Sequence, residues 1–179
     1  MVLGFSSVGK TSIISQLLYD QFSESYQNTL QDMYRGVFDL CGVKIILDIE
    51  DTSGTFAQDF PAMLEVSLTS ADAVLLVFDV TEEDSFDEVS RLRDLICSME
   101  NGAGVPILVL ANKTDLKLSL PSDELEATVL LDWECGYVEC SAKDRDSMDM
   151  VVMEMMNLAR REGKLDISCE GRNSSTCLV

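Results

Sequence analysis

Gly4-Phe5-Ser6-Ser7-Val8-Gly9-Lys10-Thr11 spaces two glycines, a lysine and a hydroxyl in the pattern G-x-x-x-x-G-K-[ST]. Gly4 and Gly9 let the backbone turn back on itself, so that consecutive N–H groups from Ser6 and Ser7 through Val8 to Ser12 can face an anionic phosphate chain. Lys10 adds a mobile ammonium for the β- and γ-phosphates, and the Thr11 hydroxyl is a hard oxygen ligand of the kind Mg²⁺ takes. Taken alone, the same residues would also suit an ordinary Gly/Ser turn. Three further polar stretches each follow an apolar run: Asp51-Thr52-Ser53-Gly54, Asn112-Lys113-Thr114-Asp115 and Ser141-Ala142-Lys143.

The elements that would carry these stretches are legible from periodicity. Ile13, Ile14, Leu17 and Leu18 fall at helical spacing directly after the phosphate-binding pattern. The segment Phe22–Asp32 is polar, weakly periodic and too long for a tight turn, so a functional loop is expected there. Gly36–Leu40 and Val43–Ile49 flank Cys41-Gly42 as a hairpin, with Val43, Ile45, Leu47 and Ile49 on one face. The same parity puts Asp51 at the strand end, at the sheet edge where α/β folds bind ligands, although a carboxylate there can also cap a turn. A loop is expected from Gly54 through Pro61, then a helix from Ala62.

Ala73–Val80 and Val105–Ala111 are unbroken apolar runs, as expected of parallel strands covered on both faces. Between them, Phe86, Val89, Leu92, Leu95, Ile96 and Met99 mark an amphipathic helix with Glu82, Glu83 and Asp84 at its positive end. Ser122 is placed to cap a helix carrying Leu125, Val129 and Leu130. Tyr137–Cys140 reads as a last short strand. A final helix with a Met148, Val151, Val152, Met155, Met156 and Ala159 stripe follows and stops at Gly163. The alternation predicts an α/β doubly wound sheet, mostly parallel, with one antiparallel hairpin strand.

One domain accommodates 179 residues with 46% hydrophobic content. A net charge of −19 argues against nucleic acid and against adsorption to anionic lipid. Six cysteines without metal spacing or a secretory leader indicate reduced thiols in the cytoplasm. Met1-Val2-Leu3 is short for a buried strand, so a truncated first strand is expected. Residues 164–179 are polar and aperiodic and are expected to be a disordered tail. Cys177 lies third from the end, outside the C-a-a-X pattern, and the tail has no polybasic run. Membrane attachment would need a different C-terminus or another lipid signal. No stretch is long enough to span a bilayer.

GFSSVGKT, DTSG, NKTD and SAK, in that order and spacing, resemble the Ras family of small GTPases from Met1 to Gly163. The resemblance implies a P-loop NTPase G domain over residues 1–163 that binds GTP and GDP with Mg²⁺. It implies that Asp115 reads guanine, Asn112 braces the loop and Lys113 lies over the base. Ser141, Ala142 and Lys143 would complete the base pocket, with the Ala142 N–H meeting the guanine oxygen and Phe22 and Tyr26 flanking the nucleotide. Thr29 would join Thr11 and Asp51 at the metal, and Gly54 would donate to the γ-phosphate. Effector proteins would read Thr29 to Tyr34, including Gln31 and Asp32, and the loop after Gly54. An exchange factor and an activating protein are implied partners, and a monomer is expected.

Departures from the family pattern bear on catalysis. Ser6 and Ser7 stand where small glycines are usual, and Thr55 stands where a glutamine usually orients the attacking water. The loop from Phe56 to Phe60 is about two residues longer than usual, which brings Gln58 in as a substitute candidate. DTSG with FPAM is most similar to the Rhes/Dexras branch. Thr55, Gln58, Gly54 and Lys10 are thus the candidate catalytic residues, and slow hydrolysis is expected. The alternative is a nucleotide-holding module that does not cycle. An ATPase or kinase would have no use for NKTD.

Overall fold

The computed structural model describes residues 1–23, 29–40, 43–117, 122–161 and Gly163. Tyr26, the Cys41-Gly42 turn, Cys177 and the whole 164–179 tail lie outside the described residues. Within them, six strands form one sheet in the order β2-β3-β1-β4-β5-β6. These are β1 (Val2–Gly4), β2 (Gln31–Leu40), β3 (Val43–Thr52), β4 (Val74–Asp79), β5 (Ile107–Asn112) and β6 (Gly136–Glu139). Only β2 and β3 pair antiparallel, and every other neighbouring pair is parallel. The expected fold class is therefore observed.

The unbroken apolar runs are explained by burial on two sides. Leu75, Val77, Leu108 and Leu110 face a core shared with Ile13, Ile14 and Leu17 of α1 (Lys10–Tyr19) and Met148, Val151 and Val152 of α6 (Arg145–Arg161). Their neighbours Val74, Leu76, Phe78, Ile107 and Val109 face Leu64 and Leu68 of α3 (Pro61–Ser70) and Val89, Leu92 and Ile96 of α4 (Glu83–Ser98). With both faces dry, alternation gives way to continuous hydrophobicity. The parallel strands all end on the same edge, and the four polar stretches follow β1, β3, β5 and β6 there. That shared edge is how the topology gathers segments distant in sequence.

Several local expectations need correction. The polar segment ends at Leu30, because β2 begins at Gln31 and pairs with β3 from Gln31↔Thr52 onward. As an edge strand it is held by this ladder and needs no apolar face of its own at Gln31 and Asp32. The Gly54–Pro61 stretch is not all loop. Phe56–Asp59 forms a helical turn, α2, with Phe56 buried, and Pro61 itself starts α3, where its missing N–H costs nothing.

Ser122 is the first residue of α5 (Ser122–Ala127), and its hydroxyl donates to Glu139 instead of capping the helix. The helix then widens into a π-helical turn over Thr128–Asp132, which keeps Val129 buried and turns Leu130 outward, against its expected core role.

Candidate functional site

The polar edge encloses a cavity of about 730 Å³, within the range of ligand pockets. It is lined by Ser7, Gly9, Lys10, Thr11 and Ser12 from the first loop, Phe22 and Thr29 from the segment before β2, and Gly54 after β3. Asn112, Lys113, Asp115, Ser141, Ala142 and Lys143 line its other half. These come from all four predicted motifs.

At the phosphate end, Gly9 precedes α1 with φ +99°, and a Cβ there would collide with the Asn112 amide. Ser7 takes the left-handed conformation, φ +63°, without being glycine. Lys10 is buried, and its Nζ donates to the carbonyls of Gly4 at 2.9 Å and Phe5 at 2.8 Å. Burial lowers the Lys10 pKa to about 8, against an opposing pull from Asp51. An ammonium held so close to neutrality is poised to gain from an arriving anion. The Val8 side chain is fully buried in the core, leaving its backbone to the loop, and Gly4 ends β1 against Val77.

Thr11, Thr29 and Asp51 meet beside Lys10. The Thr11 hydroxyl donates to Asp51 Oδ2 at 2.6 Å and lies 2.9 Å from the Thr29 hydroxyl, which must then be the donor of that second bond. Asp51 is fully buried at the end of β3, and its Oδ1 has no hydrogen-bond partner. Burial raises its pKa despite the Thr11 bond and the Lys10 charge. A buried carboxylate oxygen without a donor, beside two hydroxyl oxygens, is the chemistry a hard cation satisfies, so the residues fit Mg²⁺. Thr52, next along β3, donates to the Val2 carbonyl at 2.7 Å and ties the strand end to β1.

At the base end, Asn112 is buried at the last position of β5. Its Nδ2 donates to the Val8 carbonyl at 2.8 Å, and its Oδ1 accepts from the Ala142 N–H at 3.0 Å. One side chain thus joins the first, third and fourth motifs. Asp115 accepts from the Ser141 hydroxyl at 2.7 Å and from Lys143 Nζ at 3.0 Å, and these bonds hold its pKa below the usual carboxylate value. Lys143 also lies 5.6 Å from the centre of the Phe22 ring, bridging the two sides of the cavity mouth. Lys113 pairs with Asp79 at 2.5 Å, which anchors it along the base side.

The candidate catalytic loop is placed differently. Thr55 is exposed, and its hydroxyl donates to Asp59 at 2.6 Å. Gln58 is exposed on α2, and neither residue lines the cavity. Gly54 does line it, and its Cα packs against Ser6 so closely that a Cβ would collide with the Ser6 hydroxyl and amide. Sequence reading missed Thr52 and Ser53, whose signal was their place inside DTSG. It also missed Arg145, which donates to the Gln16 and Leu17 carbonyls and closes the end of α1 beside the segment carrying Phe22. No short-range sequence signal marks that bond, which spans most of the chain.

Among known proteins, the Ras family pattern matches residues 1–161. The chain is 36% identical over 171 residues to the GTP-binding protein Rhes of Homo sapiens, covering 89% of this chain and 64% of that protein. It is 32% identical over 180 residues to the Ras-related protein Ral-a of Drosophila melanogaster, covering 99% of this chain and 88% of the relative. Ral-B of Mus musculus is 34% identical over 163 residues, covering 89% and 78%. The chain therefore spans just under two thirds of the length of human Rhes.

Proposed function

The chain belongs to the Ras family of small GTPases, near the Rhes branch, and from that membership we propose a guanine-nucleotide switch that binds GDP and GTP with Mg²⁺ and hydrolyses GTP slowly. The observation that carries the reading is the convergence of Thr11, Thr29 and the unpartnered Asp51 Oδ1 next to Lys10. Thr11, Thr29 and Asp51 would hold the metal, which supplies positive charge for the phosphate oxygens. Residues 1–163 would be the G domain and 164–179 its tail.

Residues at each end of the cavity have a definite part in this reading. Backbone N–H groups from Ser6 to Ser12 and the Lys10 ammonium bind the phosphates. Asp115, kept ionised by Ser141 and Lys143, accepts from the ring N–H and exocyclic amine of guanine, a donor pair that adenine lacks. Asn112 holds the phosphate and base halves in register. Phe22 flanks the base, and Tyr26 would join it.

Thr29 and Gly54 sit on the two segments that bound the phosphate end, so loss of the γ-phosphate would release both. Leu30 and Met33 on one segment are 81% and 67% exposed. Phe60, Met63 and Val66 are exposed beyond the other, so effector proteins would find an apolar surface spanning both. An exchange factor and an activating protein would act on the same two segments. We place the protein in the cytoplasm as a monomer. Among the described residues no helix is long and apolar enough to cross a membrane.

Slow turnover follows from positioning. No side chain from Thr55 or Gln58 lines the cavity, the Thr55 hydroxyl is committed to Asp59, and Ser6 fills the space beside Gly54. Intrinsic hydrolysis should fall at or below the family scale of roughly 10⁻⁴ s⁻¹. Bound nucleotide should be identified by chromatography, and single-turnover hydrolysis measured on wild type, Thr55→Gln, Ser6→Gly and Gln58→Ala. Acceleration by Thr55→Gln or Ser6→Gly supports the reading. A fast wild type that slows with Gln58→Ala reassigns the water-positioning residue, and one indifferent to all three refutes the mechanism. ATP bound as tightly as GTP would refute the guanine assignment.

A further inference from the structure

On the side of the sheet covered by α4, remote from the nucleotide cavity, two thiols share one guanidinium. Arg93 and Cys97 are one turn apart on α4, so their side chains are neighbours on one face. Arg93 Nη2 reaches the Trp133 carbonyl at 3.5 Å, and the Cys135 thiol donates to that same carbonyl at 3.4 Å. The guanidinium also lies 5.9 Å from the Trp133 ring centre, and Trp133 stacks on Phe86 at 5.4 Å. The Trp133 ring, itself backed by Phe86, thus supports the guanidinium on one face.

The guanidinium is incompletely used. Nη1 pairs with Asp94, but the buried Nε has no acceptor, the one other orphan among the described buried side-chain atoms besides Asp51 Oδ1. A thiolate at Cys135 is an acceptor of the right charge within reach. Burial pushes the Cys135 thiol up, while the charge and hydrogen bond of Arg93 pull it back. Cys97 is exposed and Cys135 half-buried, so an oxidant meets Cys97 first. Cys97 occupies the last turn of α4, one residue before the helix ends at Ser98, where the helix gives way to a non-helical segment.

We propose that Cys97 and Cys135 form a peroxide-responsive dithiol in which Cys97 is oxidised, Cys135 resolves it as a disulfide, and Arg93 positions and stabilises the resolving thiolate. In the first step the Cys97 sulfur attacks one peroxide oxygen. The O–O bond breaks, Cys97 becomes a sulfenic acid, and the other oxygen leaves as water. In the second, the Cys135 thiolate attacks the Cys97 sulfur, the S–S bond forms and the S–O bond breaks, releasing a second water. Two thiols are oxidised by two electrons in all, and one hydrogen peroxide is reduced.

The test uses the full chain, with hydrogen peroxide near stoichiometric, alkylation of the remaining thiols, and non-reducing peptide mapping. A Cys97–Cys135 linked peptide is expected in wild type, with a dimedone-trapped sulfenic acid on Cys97 in Cys135→Ser. Closure should shift the emission of Trp133, the single tryptophan, because Cys135 must leave its carbonyl. Arg93→Met should slow closure of the disulfide relative to Cys97 sulfenic-acid formation followed in the same reaction. Arg93→Lys should restore most of the rate, and Cys97→Ser should leave GDP binding unchanged. Cross-links only to other cysteines, sulfenic acid on Cys135 instead of Cys97, or closure equally fast in Arg93→Met would overturn the proposal.

Discussion

Asn112→Ala removes a side chain whose two polar atoms each satisfy a buried backbone group. The Val8 carbonyl would lose its donor at 2.8 Å and the Ala142 N–H its acceptor at 3.0 Å. Both residues are buried. An unsatisfied buried group costs about 1–3 kcal/mol, so the two together amount to about 2–6 kcal/mol. Water entering the vacated space would offset part of this, and about 3 kcal/mol is expected. For a chain of this size that corresponds to a fall in Tm of about 6–12 °C.

Urea denaturation of nucleotide-free protein in EDTA is the direct assay, with a lower midpoint at unchanged slope. Repeating it with saturating GDP measures the further loss from weaker binding. Asn112→Asp supplies the sign test. It keeps an acceptor for Ala142 but turns a carboxylate oxygen toward the Val8 carbonyl, so its folded-state pKa should rise above the unfolded value. Its stability should then be greatest at low pH and be lost as pH rises through the folded pKa, widening the deficit against wild type from pH 5 to pH 7. A loss below about 1 kcal/mol for Asn112→Ala, together with a pH-independent Asn112→Asp, would refute the bridging role.

Lys10 gives a second pH signature, because its pKa is lowered to about 8 from an ordinary 10.5. Between those values the unfolded chain holds more protons, so nucleotide-free protein should gain stability as pH rises. Phosphate binding needs the charged form, and GDP should bind about tenfold more weakly at pH 9 than at pH 7; a flat titration would contradict this. Asp51→Asn should abolish the Mg²⁺-dependent slowing of GDP release while leaving metal-free stability equal or higher, because it removes a buried charge whose Oδ1 lacks a partner. Retained Mg²⁺ sensitivity would place the metal elsewhere.

The four strand-end motifs were readable because phosphate and guanine chemistry demand particular residue types, and apolar runs mark the strands before them. Asp51 followed from strand parity alone, and its burial beside Thr11 agrees. The start of β2 was hidden because an edge strand is held by ladder bonds, and Gln31 and Asp32 carry no periodicity of their own. The helical turn at Phe56–Asp59 has no side-chain cap bond to announce it and is anchored by the burial of Phe56. Leu130 misled because a π-helical turn breaks the spacing on which a helical stripe is counted. The Arg145 and Arg93 contacts are tertiary, set by which helices the sheet brings together.

The packing of Gly54 against Ser6 couples the room available at the two positions. A β-carbon at residue 54 has no room while Ser6 keeps its place, and a bulkier residue 6 must push the loop after β3 outward. The block on residue 54 does not depend on the residue-6 side chain alone, because the clash includes the Ser6 amide and Cα. Ser6 therefore sets how closely the segment after β3 can approach the phosphate-binding turn.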